Sequence, residues 1–182
     1  MLSVIIVSAG DGQKLARTLM SVFPAIAEGV VRDGFVLAAG QAGEDERIAD
    51  AAGCEFISGP LGQSSAMVLD RVRADYVLFL LAGAELEADW WREAAQFVER
   101  SGHGNRRSAA FAFATHDYGL AARLAEWGSA ARSRLLGRAD PRQGMIAHKD
   151  LIRNARGAGR FPPRPSGRMI LLRSRAFAPQ DA

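Results

Sequence analysis

The stretch that most constrains this chain is its first, Leu2-Ser-Val-Ile-Ile-Val-Ser8, which is almost wholly apolar and rich in β-branched residues. Such a run has no polar face to give to water. It reads as a strand covered on both sides, as in a parallel sheet with helices packed above and below. Gly10-Asp11-Gly12 cuts it short, so the strand ends in a tight loop. In sheets of this kind ligands meet the loops beyond the carboxyl ends of the strands.

The next residues repeat the alternation. Gln13 to Phe23 has Leu15, Leu19, Val22 and Phe23 at helical spacing, and Pro24 is expected to end that helix. Gly34 to Ala39 reads as a second strand, Glu44 to Ala52 as a helix closed by Gly53, and Cys54 to Ile57 as a third strand. Ser64 to Arg73 is expected to be helical, Tyr76 to Leu81 to be the strongest strand, and Ala88 to Arg100 to be a helix with one of Trp90 and Trp91 in the core. Alternation of this kind predicts an α/β fold with a doubly wound, mostly parallel sheet and flanking helices. The loops to inspect are then Ala9–Gly12, Gly40–Gly43, Gly59–Ser65 and Ala82–Glu87.

The second part is less regular. Ala109 to Thr115 and Gln143 to Ala147 read as strands, Gly119 to Leu136 and Asp150 to Arg156 as helices, and Arg160 to Pro165 as a proline-rich loop. Met169 to Phe177 is expected to form a last short helix. The 182 residues suit one domain, with residues 1–100 as one half and residues 101–182 as the other. The halves differ in charge. Residues 1–100 carry 8 basic and 15 acidic side chains, a net of −7, and residues 101–182 carry 15 and 5, a net of +10. An anionic partner for the second half (a phosphate or a membrane surface) and a coding bias towards arginine both account for this. No aromatic-basic interleaving and no zinc spacing supports a nucleic acid as that partner. The single cysteine, Cys54, rules out a disulfide within the chain and reads as a buried thiol. With no apolar run of membrane-spanning length and no signal-peptide pattern, the chain is expected to be soluble and cytoplasmic, with peripheral contact at the inner face of the membrane open to its basic half.

The ordered blocks resemble those of family 2 glycosyltransferases, which have the GT-A nucleotide-sugar fold. Leu2 to Asp11 is similar to the opening strand and loop. Ile48 to Gly53, Ile57-Ser-Gly-Pro-Leu-Gly62 and Ala74 to Ala84 with Trp90 follow in order, and Gln143 to Lys149 and Gly159-Arg-Phe-Pro162 resemble acceptor-side blocks. The resemblance implies a GT-A-like single domain whose residues 1–100 bind a nucleotide sugar and whose basic residues 101–182 face the acceptor. It places Ser8, Asp11, Ala38 and Gly62 around the nucleotide.

The departures from that pattern concern acids. Where the family has a base-binding Asp and a second acid, this chain has Ala38 and Gly43; where it holds its metal, this chain has Leu81-Ala-Gly-Ala84. Leu61 replaces a basic residue, Arg142 an Asp, and the catalytic Glu-Asp pair falls near Arg168 and Met169. A sugar diphosphate concentrates negative charge, and a hard cation on carboxylate oxygens neutralises the leaving group. An inverting transfer also needs a base at the acceptor hydroxyl. If the chain is active, Mg²⁺ or Mn²⁺ is the implied cofactor.

Glu85 is the candidate metal ligand, by a two-residue shift; Glu85 and Glu87 also suit a solvated helix start, as do Glu44, Asp45 and Glu46. Asp11 is equally placed to cap the first helix. Arg142, His148 and Lys149 could hold a phosphate or the acceptor without metal, or form a solvated basic face. His116-Asp117 could be an acid/base pair or an ordinary loop pair. Two functions follow. One is transfer of a sugar from a nucleotide-diphosphate sugar to a lipid or polysaccharide acceptor. The other is a catalytically inactive relative that binds a nucleotide, a glycan or a protein.

Overall fold

A computed structural model describes residues 1–40, 43–101, 106–114, 141–153 and 169–178 of the chain. Eight strands form one sheet in the order β3-β2-β1-β4-β7-β6-β8-β5. They are β1 (Leu2–Ser8), β2 (Val31–Ala38), β3 (Glu55–Ser58), β4 (Tyr76–Leu81), β5 (Glu85–Leu86), β6 (Ser108–Ala114), β7 (Met145–His148) and β8 (Met169–Phe177). The helices are α1 (Gly12–Ala27), α2 (Glu44–Ala51), α3 (Leu61–Arg71), α4 (Trp90–Ser101) and α5 (Lys149–Arg153), with a single 3-10 turn at Pro141–Gln143.

Every residue of β1 is buried. It pairs in parallel with β2 on one side and β4 on the other. Its alternate side chains feed two apolar layers. Leu2, Val4 and Ile6 join Leu15 and Leu19 of α1, Ala49 of α2 and Trp90 and Phe97 of α4. Ile5 and Val7 join Val68 and Leu69 of α3 and Ile152 of α5 on the opposite face. The expectation of a strand covered on both faces is therefore met. Arg153 fastens α5 to α3, with its guanidinium 2.7 Å from Asp70 and 2.9 Å from the Leu69 carbonyl.

The sheet is mixed, which corrects the expectation of a mostly parallel layer. The first four strands are parallel, but β7 runs antiparallel to both β4 and β6, and β5 antiparallel to β8. Met169 to Phe177 is a strand, not the expected helix. Its Met, Leu, Arg and Ala residues favour a helix locally, but β6 and β5 flank it and take its backbone groups; pairing overrides propensity. The register between β6 and β8 slips between Ala110 and Ala112, which leaves extra β8 residues unpaired. Glu93 of α4 fills that bulge. Its carboxylate accepts from the Arg173 N–H at 2.9 Å and from both the N–H and the hydroxyl of Ser174 at 2.7 Å.

Pro24 does not end the first helix; α1 continues to Ala27. The proline lies on the water side, near Met20 at 75% exposure, where the carbonyl it blocks can be hydrated. The helix resumes with the Glu28 N–H on the Pro24 carbonyl. Cys54 is buried, as expected, and burial raises its thiol pKa. It also explains Gly34: a Cβ there would stand 2.7 Å from the Cys54 sulfur. Trp90 is the core tryptophan at 1% exposure. The expected helix 119–136, the His116-Asp117 pair and the proline-rich loop 160–165 lie outside the described residues. Among the described residues no helix is long and apolar enough to cross a membrane.

Two predictions follow from the packing. Gly144 joins the 3-10 turn to β7 at φ +69°, where a Cβ would meet Leu80 at 2.9 Å and Phe111 at 3.2 Å. Gly144→Ala should cost about 1–3 kcal/mol in urea unfolding; a wild-type midpoint would contradict this packing. Burial acts to raise the Glu93 pKa, but its hydrogen bonds to Arg173 and Ser174 and the Arg173 charge outweigh burial and hold it below the ordinary value. A depressed folded pKa stabilises the fold above the unfolded value, about 4.3, and that stability is lost as pH falls through the folded value. Glu93→Ala should cost about 1–2 kcal/mol at pH 7, and the gap should narrow below about pH 4.

Candidate functional site

The carboxyl ends of β1, β2 and β3 are level: Ser8 pairs with Ala38, and Ala38 with Ser58. From β1 the chain passes through α1 to β2, and from β3 through α3 across to β4 on the far side of β1. The turn after β4 bonds back to β1 and α1, with the Ala82 N–H on the Val7 carbonyl and the Gly83 N–H on the Lys14 carbonyl, so the first and fourth loops lie together at the carboxyl end of the sheet, the usual ligand position in such folds. Ser8, Asp11, Ala38 and Gly62, expected around a nucleotide, all lie at this end.

Their individual roles differ. Ser8 is 2% exposed, and its hydroxyl accepts the Gly10 N–H at 3.3 Å. This bond shapes the turn at Gly10, whose φ of +92° suits glycine. Asp11 is the N-cap of α1: its Oδ1 accepts the Lys14 N–H at 3.0 Å, and its Oδ2 lies 3.8 Å from the Lys14 ammonium. The capping reading of Asp11 is the one the structure displays. Ala38 closes β2 at 3% exposure with only a methyl group. Gly62 is exposed in the first turn of α3, whose N-terminus has no side-chain cap and no acid in its first turn. Arg142 lies on the 3-10 turn before β7, with its guanidinium over the Phe113 ring at 5.3 Å. The neighbouring Gln143 is wholly buried and donates its side-chain amide to the Phe111 carbonyl, which ties the turn to β6.

One contact at this end was not legible in the sequence. Glu44, in the first turn of α2, lies over Gly12 in the first turn of α1. A Cβ at Gly12 would stand 2.7 Å from the Glu44 carboxyl carbon and 2.8 Å from Oε2. A glycine there leaves room for that carboxylate, and the α1 macrodipole favours a negative charge at that place. The nearby Asp45 is 3% exposed, and neither of its carboxylate oxygens has a hydrogen-bond partner.

The turn after β4 is where the resemblance would place a metal. Ala82 bonds back to the Val7 carbonyl at 2.9 Å, and Ala84 to Leu81 at 3.0 Å. The Gly83 N–H is shared between the Lys14 carbonyl at 2.9 Å and the Thr18 hydroxyl at 2.8 Å. Gly83 and Ala84 are buried against α1. The segment that would hold a cation thus has no side-chain oxygen and faces a helix. Glu85 and Glu87 do not open a helix. Glu85 pairs with Phe177 in β5, and the Glu87 carboxylate accepts the Arg175 N–H at 3.0 Å. Among the described residues no group of three His, Cys, Asp or Glu side chains could hold a metal ion. The residues present do not fit a carboxylate-bound Mg²⁺ or Mn²⁺ at this turn.

The expected basic trio is divided. Antiparallel β7 starts near the Phe79 end of β4 and finishes with His148 opposite Tyr76. β7 alone spans about 10 Å along β4 at about 3.3 Å per residue, so His148 and Lys149 lie at the other end of the strand from Arg142, which precedes its start. There Lys149 pairs with Asp75 at 2.8 Å, and Arg106 with Asp150 at 3.0 Å. His148 Nδ1 accepts the Asp150 N–H at 3.2 Å, which leaves the proton of the neutral ring on Nε2. Burial lowers the His148 pKa; Asp150 and Asp75 oppose this, Arg106 and Lys149 add to it, and the net shift is downward.

Known structures share this architecture. Glucosyl-3-phosphoglycerate synthase from Mycobacterium tuberculosis, in complex with phosphoglyceric acid, superposes with a TM-score of 0.64 at 15% identity, over 100% of this chain and 73% of that one. The same enzyme with Mn²⁺, uridine-diphosphate-glucose and phosphoglyceric acid gives 0.57 at 18% identity, over 85% and 59%. A further structure, described as a mycobacterial protein, gives 0.57 at 18% identity over 84% and 54%. This chain thus spans from about half to about three-quarters of the length of those chains. No protein-family model and no curated protein sequence matches it. The chain has the mixed-sheet α/β fold of these GT-A proteins.

Proposed function

We propose that this chain is a nucleotide-binding protein on a GT-A scaffold, one that takes a nucleoside diphosphate or its sugar without a divalent cation and does not transfer the sugar. The observation that carries this reading is the turn after β4. Ala82, Gly83 and Ala84 offer no carboxylate, and Thr18 and Lys14 of α1 hold the turn in place. A cation there would have to displace a packed segment and recruit ligands from elsewhere.

Binding itself has support at the same end. Ala9 and Gly10 are small and exposed after β1, the start of α3 has no side-chain cap on its N–H groups, and Lys14 and Arg142 supply positive charge. Backbone donors and guanidinium groups can take the diphosphate charge that a metal takes elsewhere. The relatives in fold whose complexes contain uridine-diphosphate support a nucleotide as the ligand class. Glu44 opposes it. Its carboxylate lies where α1 would otherwise receive an anion, so it must swing aside as the nucleotide enters.

Titration calorimetry with uridine and guanosine diphosphates, in Mn²⁺ and in EDTA, tests the reading. The same affinity is expected in both solutions, with no release of sugar from a nucleotide sugar. Glu44→Gln should tighten binding by about 3- to 10-fold, because it removes a like charge roughly 4–6 Å from the phosphates, screened at this exposed loop end by a dielectric near that of bulk water. Mn²⁺-stimulated turnover that disappears in Glu85→Ala would overturn the proposal and restore the transferase reading, with a lipid or polysaccharide as the acceptor.

A further inference from the structure

The end of the sheet opposite the nucleotide crevice carries a second cavity, of about 440 Å³, at the amino ends of β1 and β4 and the carboxyl end of β7. Arg32, Arg73, Arg106 and Lys149 line it, against two carboxylates, Asp75 and Asp150. Those two acids are already engaged, Asp150 with Arg106 and Asp75 with Lys149. The guanidinium groups of Arg32 and Arg73 have no ion-pair partner among the described residues. The cavity therefore holds two positive charges beyond those its own acids balance.

Its frame is fixed from several directions. The Arg73 N–H donates to the Asp33 carboxylate at 2.9 Å, the Ala74 N–H to the Ser3 hydroxyl at 3.1 Å, and the Lys149 N–H to the Asp75 carbonyl at 2.8 Å. Tyr76 forms part of the wall. Its ring meets His148 edge-on at 5.2 Å and Phe97 at 5.9 Å, and the residue is 5% exposed. Yet its hydroxyl is buried with no hydrogen-bond partner among the described residues. A buried polar group left in that state costs about 1–3 kcal/mol, and a native fold normally satisfies it. A tyrosine hydroxyl can donate or accept, and an acceptor that reached it from the cavity would also meet the arginines of the same wall.

We propose that this cavity binds a phosphate monoester, with the phosphoryl oxygens held by Arg32, Arg73 and the Tyr76 hydroxyl. A phosphomonoester carries a charge of about −1.5 to −2 at neutral pH, close to the excess on the cavity wall. Guanidinium groups suit its oxygens in planar, two-bond contacts. The volume leaves room for a small organic body beside the phosphate. The site is separate from the nucleotide crevice, from which β4 divides it, and does not depend on what that crevice binds.

Calorimetry with glycerol 3-phosphate and inorganic phosphate, at ionic strength held constant with chloride, tests the proposal. Co-sedimentation with phosphatidic-acid vesicles, against pure phosphatidylcholine, separates a lipid headgroup from a soluble ester. Saturable binding to a soluble phosphate or to phosphatidic acid is expected. It should weaken at least tenfold in the Arg32→Gln, Arg73→Gln double variant and about tenfold in Tyr76→Phe, with wild-type circular dichroism. Glu44→Gln, at the other end of the sheet, should leave it unchanged. If Tyr76→Phe disturbs the fold, the arginine pair, both exposed, still decides. The proposal fails if no probe binds above the chloride and phosphatidylcholine backgrounds. It also fails if the arginine variant binds as wild type does, or if uridine diphosphate displaces the phosphate competitively, which would place the binding in the nucleotide crevice.

Discussion

The pairing of β1 with both β2 and β4 is the constraint on which the remaining structure depends. Because each side chain of β1 is buried, its register cannot slip by one residue without moving every apolar group to the other layer. That register brings Ser8 level with Ala38, and Val7 level with Leu81. It therefore fixes where the first and fourth loops leave the sheet, side by side at its carboxyl end. The layers on the two faces follow from the same alternation, with α1, α2 and α4 on one side and α3 and α5 on the other.

The carboxyl end of the sheet has its own distribution of charge. In the family pattern that the sequence resembles, an acid after β2 meets the nucleotide base and acids after β4 hold the cation. Here the end of β4 is a packed turn held by Thr18, and the nearest acid over a helix start is Glu44, above Gly12. A carboxylate in that place competes with a phosphate instead of recruiting one through a metal. A shared fold therefore does not by itself carry a shared chemistry.

Much of this was legible in the sequence for a physical reason. Uninterrupted apolar runs such as Leu2 to Ser8 and Tyr76 to Leu81 have only one stable use in a chain of this size, and both are strands at the places expected. That Ala82 to Ala84 offer no side-chain oxygen was equally plain, since a side chain without oxygen cannot hold a hard cation. Non-local choices were hidden. Met169 to Phe177 is a strand because β6 and β5 supply its hydrogen bonds and Glu93 fills its bulge, none of which lies near it in sequence. His148 and Lys149 are only a few residues from Arg142, yet the reversed direction of β7 carries them to the opposite end of the sheet. The Glu44–Gly12 contact joins two helices whose side-chain meeting leaves no periodic trace. Gly12 was the one visible sign of it, read only as part of a turn.

The central claim, a nucleotide crevice without a metal, is tested most directly by crystals grown with uridine diphosphate and Mn²⁺ and measured at the manganese absorption edge. The account predicts nucleotide density between Ser8 and the start of α3, Glu44 displaced from Gly12, and no anomalous peak beside Ala82 to Glu87. An anomalous peak there, bound by carboxylate oxygens and by the diphosphate, would contradict it.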